Sequence, residues 1–373
     1  MAWMSKEVKE EHRKLVEQVV ADMEAGKPFF WDSGHYGRPP RNILPNNEKG
    51  HEGEDRFYRG INNMLLTFEA KVKGYKDSRW GTYGAIKTAG GQVRKGEKST
   101  LIECWVWEKP LRQKNAKGEM ETVYQKDEKG NILKDRFGKK KPVMVHLKSP
   151  LIMTYRVFNA EQADGLSPEH PITIDLADRN EKMEMILANS EAKIIHDQIS
   201  GNFYRPSADE IHLMKREEFK SMDDYYATAT HEIAHSTGHE QRLKRKSLME
   251  SQGFGIPTYA KEELCAEMAS MFLRQEYGLK FDEKHRDNHG AYLRSWVEAL
   301  KKNPDELYLA ASEAEKAVRY IRENMLERGL KKAKEKDVGN VVNAARSAKK
   351  RRLKVTPHKV QDKEKGRAIG MSR

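Results

Sequence analysis

His231-Glu232-Ile233-Ala234-His235 decides how the second half of this 373-residue chain is read. On a helix, positions four apart lie on one face, one turn apart, so both imidazoles reach a single ion. Zinc accepts neutral imidazoles and a carboxylate and keeps one coordination position open. Such an ion lowers the pKa of bound water to about 7. Glu232, beside the ligands, is placed to take that water's proton and later pass it to a leaving amine. The flanks support a helix over 223–240. Tyr225-Tyr226-Ala227-Thr228-Ala229-Thr230 is apolar or small, Asp223-Asp224 supplies a capping start, and Gly238 marks an end one turn past His235. His239, four beyond His235, stays on the same face if the helix continues, and is a candidate to stand behind the ligands or against a substrate.

A third ligand is required. The metzincin pattern would put a histidine at 241, where the chain has Gln241. The next predicted helix offers Glu263 and Glu267, four apart among Leu264, Ala266, Met268, Ala269, Met271, Phe272 and Leu273, where an unpaired carboxylate is costly. This is similar to the gluzincin arrangement. Glu263 is assigned as ligand and Glu267 as the carboxylate that orients a histidine, the reverse assignment staying open. One zinc ion per chain is expected.

Around this centre the pattern predicts an α+β chain with a front domain over 1–165, a mainly helical second domain with a small sheet over 176–328, and a basic tail over 329–373. Helical spacing marks 5–25, 61–73, 82–89, 178–190, 260–277, 286–301 and 304–327. Alternation marks strands at 100–107 and 143–158, with short candidates near 193–195, 202–204 and 210–213. Residues 28–60 read as loop, and Ser167–Pro171 as a linker. Residues 109–141 are almost wholly polar, with Gly118, Gly130 and Gly138 as turn points, so a charged hairpin or a disordered insertion is expected. Trp105 and Trp107 alternate on a strand and are expected in the core.

Charge is unevenly spread. Residues 1–160 carry 31 Lys+Arg against 21 Asp+Glu, residues 161–330 carry 23 against 32, and residues 331–373 carry 15 against 4. A basic front and tail flank an acidic middle, which makes nucleic acid a candidate partner for the two ends. Two isolated cysteines, Cys104 and Cys265, exclude a disulfide framework and suggest buried thiols in a reducing compartment. With no apolar signal core and no apolar run of about 18 residues, a soluble cytoplasmic protein without a membrane partner is expected.

Several separated motifs, in order, carry a resemblance. RGINNMLL, SRWGTYGAIKTAGGQVRKGEKST, VFNAEQADGL, HEIAHSTGH, FGIPTYAKEELCAEMASMFL and HGAYLRSWVEALKKNPDELYLAASEAEKA together resemble the ArdC antirestriction family over roughly residues 10–325. The resemblance implies a single-stranded-DNA-binding front domain, similar to that of conjugative plasmid primases, joined to a zinc metallopeptidase-like domain, in proteins of plasmids and phages. His231, Glu232, His235 and Glu263 fall on its zinc-site positions. The insertion near 109–141 and the basic tail depart from it. Single-strand binding needs cations for phosphates and flat side chains for bases. On that ground Trp31, Tyr58 and Trp80 are stacking candidates, Arg38, Arg41, Arg59, Arg94, Lys95 and Lys98 phosphate candidates, and Asn62 a hydrogen-bonding candidate. Single-stranded DNA is the expected partner, with double-stranded DNA and a protein substrate beside it. Rival readings are a DNA-coating module with a silent structural zinc and a DNA–protein crosslink peptidase.

Overall fold

Val8, Val16, Val19, Val20 and Met23 recur at helical spacing, and all are buried on one face of α1 (Lys6–Glu24). The computed structural model describes residues 6–27, 29–30, 39–46, 56–135, 138–170, 174–250, 257–280, 290–333 and 335. The expected basic tail falls almost wholly outside these residues, as does the start of the helix expected at 286.

After the short strand β1 (Arg41–Asn42), unexpected within the predicted loop, comes α2 (Gly60–Lys73). It closes on Gly74 at φ 74°, a left-handed position that glycine fills without a Cβ penalty. Next come β2 (Arg79–Gly81), α3 (Tyr83–Thr88), β3 (Gln92–Val93) and the long strand β4 (Thr100–Pro110). Beyond β5 (Arg112–Lys114) and β6 (Met120–Thr122), β7 (Met144–Asn159) returns antiparallel to β4. The resulting sheet has the order β1-β2-β7-β4, and β8 (Ala163–Asp164) pairs with β3.

Only the base of the β4–β7 ribbon is covered. Ile102 and Val157 are buried, whereas Leu151, Met153 and Trp107 are exposed. Trp107 therefore corrects the core assignment: it stands 44% exposed, its ring stacked on His146. Cys104 is likewise exposed on the ribbon, while Cys265 is buried and burial pushes its thiol up to about 12. Between β4 and β7 the polar insertion folds as stacked hairpins turning at Gly118, Gly130 and Gly138. The expected linker instead carries an anchor: Glu169 accepts from the Ser78 hydroxyl and pairs with Arg41 at 3.1 Å.

In the second half, α4 (Leu176–Ala188) precedes β9 (Lys193–Gln198), β10 (Phe203–Arg205) and β11 (Glu210–Met214). These form a sheet of order β10-β11-β9, with β9 and β11 parallel and β10 antiparallel at one edge. Then follow α5 (Met222–Ser236), α6 (Lys246–Met249), α7 (Pro257–Tyr277), α8 (Gly290–Lys302) and α9 (Asp305–Tyr320), which runs on into a π-helical stretch, Ile321–Glu327. α7 is the central element, packed against α5, α6, α8 and α9. Its residues from Leu264 to Leu273 are buried all round, as a helix surrounded by others requires. The architecture is α+β.

The two halves share their principal core. Val16, Val19 and Met23 of α1 and Met64, Leu65 and Phe68 of α2 join one cluster with Ile233, Leu264, Phe272, Trp296 and Tyr308. The opposite face of α2, Leu66 and Ala70, packs with Trp80, Ile102 and Val157 in a smaller cluster beneath the front sheet. His12 of α1 stacks on Tyr308 of α9, centroids 3.6 Å apart, while its Nε2 reaches Glu103 of β4 at 2.5 Å. Met64 is fully buried at this junction. Met64→Ala is expected to cost about 2–5 kcal/mol and to lower the unfolding midpoint of both halves together. Urea unfolding followed by circular dichroism and tryptophan fluorescence checks this, and two resolved transitions would show independent halves.

Candidate metal centre

α5 begins at Ser221, whose hydroxyl accepts from the Asp224 N–H, and runs to Ser236 through small and aromatic residues buried against the core. This lays His231 and His235 one turn apart. α7 crosses behind them and delivers Glu263. One ligand atom from each of His231, His235 and Glu263 lies within 4.8 Å of the others. The edges are 3.2 Å between the two Nε2 atoms, 3.6 Å from His231 Nε2 to Glu263, and 3.4 Å from His235 Nε2 to Glu263. Tetrahedral zinc with nitrogen and oxygen ligands at about 2.0–2.2 Å separates its ligand atoms by roughly 3.3–3.6 Å. The three side chains fit such an ion.

The electrostatics are those of a site assembled for a cation. Burial disfavours charge on both imidazoles, but the surrounding carboxylates outweigh it. Glu267 and Glu263 raise His231, and Glu263 and Glu262 raise His235 further. Burial alone would raise Glu263, yet the two histidines hold its carboxyl well below the usual range. Glu232 is buried beside them, and desolvation, the largest effect on it, pushes its carboxyl upward. Its carboxylate also receives the backbone N–H of Tyr204, which brings the edge strand β10 against the site.

Behind the ligands stands a group the spacing did not single out. Glu262 is fully buried and lies 3.1 Å from His235 Nδ1. Arg245 donates to both of its oxygens at 2.6 and 3.0 Å, and the Ser247 hydroxyl donates at 2.6 Å. Burial works against the Glu262 carboxylate, but Arg245 and His235 bring it down to about 2. The same guanidinium caps the end of α5, donating to the carbonyls of Ala234 and His235 and to Thr237 Oγ1. It passes so close to Gly238 that a Cβ there would meet Arg245 Nη2 at 2.8 Å. The sequence signal was present: three acids within six residues of a largely buried helix exceed what two histidines neutralise. Glu267 Oε1 faces His231 Nδ1 at 3.9 Å, longer than a hydrogen bond.

His239 is corrected. α5 ends at Ser236, so His239 leaves the ligand face, lies in the following turn, and accepts the Gln241 N–H at Nδ1.

Among the described residues, the front-half DNA candidates are not gathered on one face, and several have structural partners. Trp80 is 1% exposed, edge-on to Tyr75 in the smaller core, and has no face free for a base. Asn62 binds both the N–H and the carbonyl of Glu103, tying α2 to β4. Arg41 pairs with Glu169, Arg59 with Glu276 at 3.4 Å, and Arg94 with Glu97 and Asp164. Tyr58 is half-buried and accepts from Asn42. Lys95 and Lys98 are exposed. Trp31 and Arg38 lie outside the described residues.

Comparison with known proteins places this arrangement. A zincin-like metallopeptidase family matches residues 181–313, and the N-terminal domain of anti-restriction factor ArdC matches residues 9–158. The metal-free crystal structure of the antirestriction ArdC protein from plasmid R388 superposes with a TM-score of 0.59 at 30% identity, covering 84% of this chain and 97% of that one. The chain belongs to the ArdC antirestriction family. The Mn(II)-bound structure of the same R388 ArdC protein matches at 32% identity with a TM-score of 0.58. An Escherichia coli DNA primase TraC is 37% identical over 314 residues, 83% of this chain but only 27% of the primase. The y4eC protein of Sinorhizobium fredii is 28% identical over 308 residues, 82% of this chain and 89% of that protein.

The buried Glu262–Arg245 pair makes a stability claim. Arg245→Met is expected to cost about 3–5 kcal/mol, because it strands a buried carboxylate, read by urea unfolding in a chelator. Glu262→Gln is expected to weaken zinc binding about 10–100-fold through loss of His235 orientation. Competition against a fluorescent chelator checks this, and an unchanged affinity would mean that His235 is oriented without Glu262.

Proposed function

We propose that this ArdC-family chain is an antirestriction-type protein of a plasmid or phage, acting in the host cytoplasm. On this reading it binds single-stranded DNA and hydrolyses a peptide bond in a protein target. The convergence of His231, His235 and Glu263 around one point, with Glu232 buried beside it, carries the peptidase part. His231 Nε2, His235 Nε2 and the Glu263 carboxylate would hold a single zinc ion, which when bound supplies Lewis-acid polarisation of the carbonyl and acidifies water. Glu232 does the proton work. Its carboxylate, raised by burial, accepts a proton from the attacking water and delivers it to the amine nitrogen as the C–N bond breaks. Glu262 and Arg245 fix the His235 ring, and the Tyr204 N–H fixes the Glu232 carboxylate. Among the described residues no helix is long and apolar enough to cross a membrane.

The single-strand part rests on the family and on the basic front half. Binding is expected to weaken steeply with salt, since phosphate contacts release counterions.

Glu232→Gln is the discriminating variant. It is expected to keep one zinc per chain by elemental analysis and to keep oligo-dT affinity, while losing at least about 100-fold in peptide cleavage, the scale of a lost general base. Unchanged antirestriction in cells carrying Glu232→Gln would leave DNA coating as the activity. His231→Ala is expected to lose the zinc.

A further inference from the structure

Tyr204 and Glu232 lie on an edge strand and a helix, and nothing local brings one to the other. β10 has three residues and one neighbour in its sheet, β11. So short an edge is held by few ladder hydrogen bonds and opens readily. We propose that Arg242 and Asp209 are positioning residues that pin β10 against α5 and so hold the Tyr204 N–H on the Glu232 carboxylate. The inference rests on the reading of Glu232 as the proton-transfer group and adds the device that aims it.

Asp209 ends the turn between β10 and β11 at φ 53°, a left-handed position uncommon for a residue with a side chain. Glycine takes that backbone freely. What aspartate adds there is a carboxylate, and both of its oxygens are used. Oδ1 accepts the Tyr204 hydroxyl at 2.8 Å. The Arg242 guanidinium donates to the same oxygen at 2.6 and 3.0 Å and to Oδ2 at 2.6 Å. Burial, and then Asp209, push the Tyr204 phenol upward, so it stays a donor. The Tyr204 ring is buried in one cluster with Ile233, the residue after Glu232.

Arg242 is itself held. Its side chain is 2% exposed, and its Nε lies 3.2 Å from Glu191, which also accepts the Tyr320 hydroxyl at 2.7 Å. The turn that carries it is tight. Leu243 N donates to Thr237 O at 3.0 Å, Lys244 N to His239 O at 3.1 Å and Arg245 N to Gly238 O at 3.0 Å, and Lys244 takes φ 51°. This turn sends Arg245 to Glu262 and Arg242 to the hairpin tip. One turn therefore serves the His235 ligand through Glu262 and the Glu232 carboxylate through β10.

The test uses the full chain, zinc-loaded and isotope-labelled at its tyrosine amides, with the Tyr204 signal assigned by its loss in Tyr204→Phe. Glu232→Gln sets the reference, because it removes the charged acceptor and moves the Tyr204 amide proton upfield. Asp209→Asn keeps a residue that tolerates the left-handed turn and removes the charge that Arg242 grips. It is expected to move the Tyr204 signal in the same direction and to speed its exchange with heavy water by at least about tenfold, the scale of one charge-assisted hydrogen bond. Arg242→Met should do the same, and Arg242→Lys should restore part of the signal, since an ammonium keeps the charge without the fork. Zinc affinity should stay within about twofold in all of them, because no ligand and no carboxylate behind one is touched. With a quenched fluorescent peptide pool the loss should fall on kcat, by about tenfold, a fraction of what the base itself contributes, with KM unchanged. An unmoved Tyr204 signal in Asp209→Asn would overturn the proposal. So would equal acceleration of exchange at Tyr226 and Tyr308, which would mean a general loosening of the core, or an unchanged kcat in a parent that cleaves. A parent that cleaves no peptide would count against the proposed function alone, and the amide signals would still decide how β10 is held.

Discussion

Three carboxylates on the buried stretch of one helix are the constraint on which this structure depends. Glu262, Glu263 and Glu267 sit in α7, a helix buried on every side. A charge in such a place is tolerated only when paired and hydrogen-bonded. Each acid has its own answer: Arg245 and Ser247 for Glu262, both histidines for Glu263, and His231 across a longer gap for Glu267. Those answers oblige α5 to cross α7 at His231 and His235 and the chain after α5 to fold back so that Arg245 reaches inward. Site and packing therefore share one cause, because the charge arrangement that could hold a cation also fixes where α5 lies.

The grouping of His231, His235 and Glu263 was legible because the residues lie on neighbouring helices of fixed geometry. His231 and His235, and Glu263 and Glu267, are each one turn apart. Glu262 was not legible by that logic. It points about 100° away from Glu263, and what brings it to His235 is the crossing of two helices, a tertiary fact with no local signature. His239 failed for the opposite reason. Periodicity was carried past Gly238, whereas the chain turns at Thr237 to let Arg245 in.

In the front half the fold class was legible, whereas the structural roles of single side chains were not. A three-residue strand between charged neighbours gives no hint that Trp80 seals a core. Asn62 looked free, but an amide that satisfies a strand's N–H and carbonyl through helix α2 is a structural clamp. Arg41, Arg59 and Arg94 were counted as cations, and each is also half of an ion pair. Surface charge available to a polyanion is what remains after internal pairing, and composition does not report that remainder. In the insertion, low apolar content left a charged hairpin and disorder both open, and repeated Asx-type turns with glycine at the left-handed position give this polar segment enough backbone hydrogen bonding to fold as hairpins.

The position of α2 between two cores bears on heredity as well as on folding. One face of that helix completes the cluster around the metal helices, and the other seats the front sheet. A recombination breakpoint between the halves would strip one of them of a wall, so exchange that leaves a working product must take the block whole. The Escherichia coli primase fits that rule: its similarity runs through 314 residues spanning both halves, within a far longer polypeptide. A helix that walls both cores ties the two halves into one packing unit, and α2 is the rivet between them.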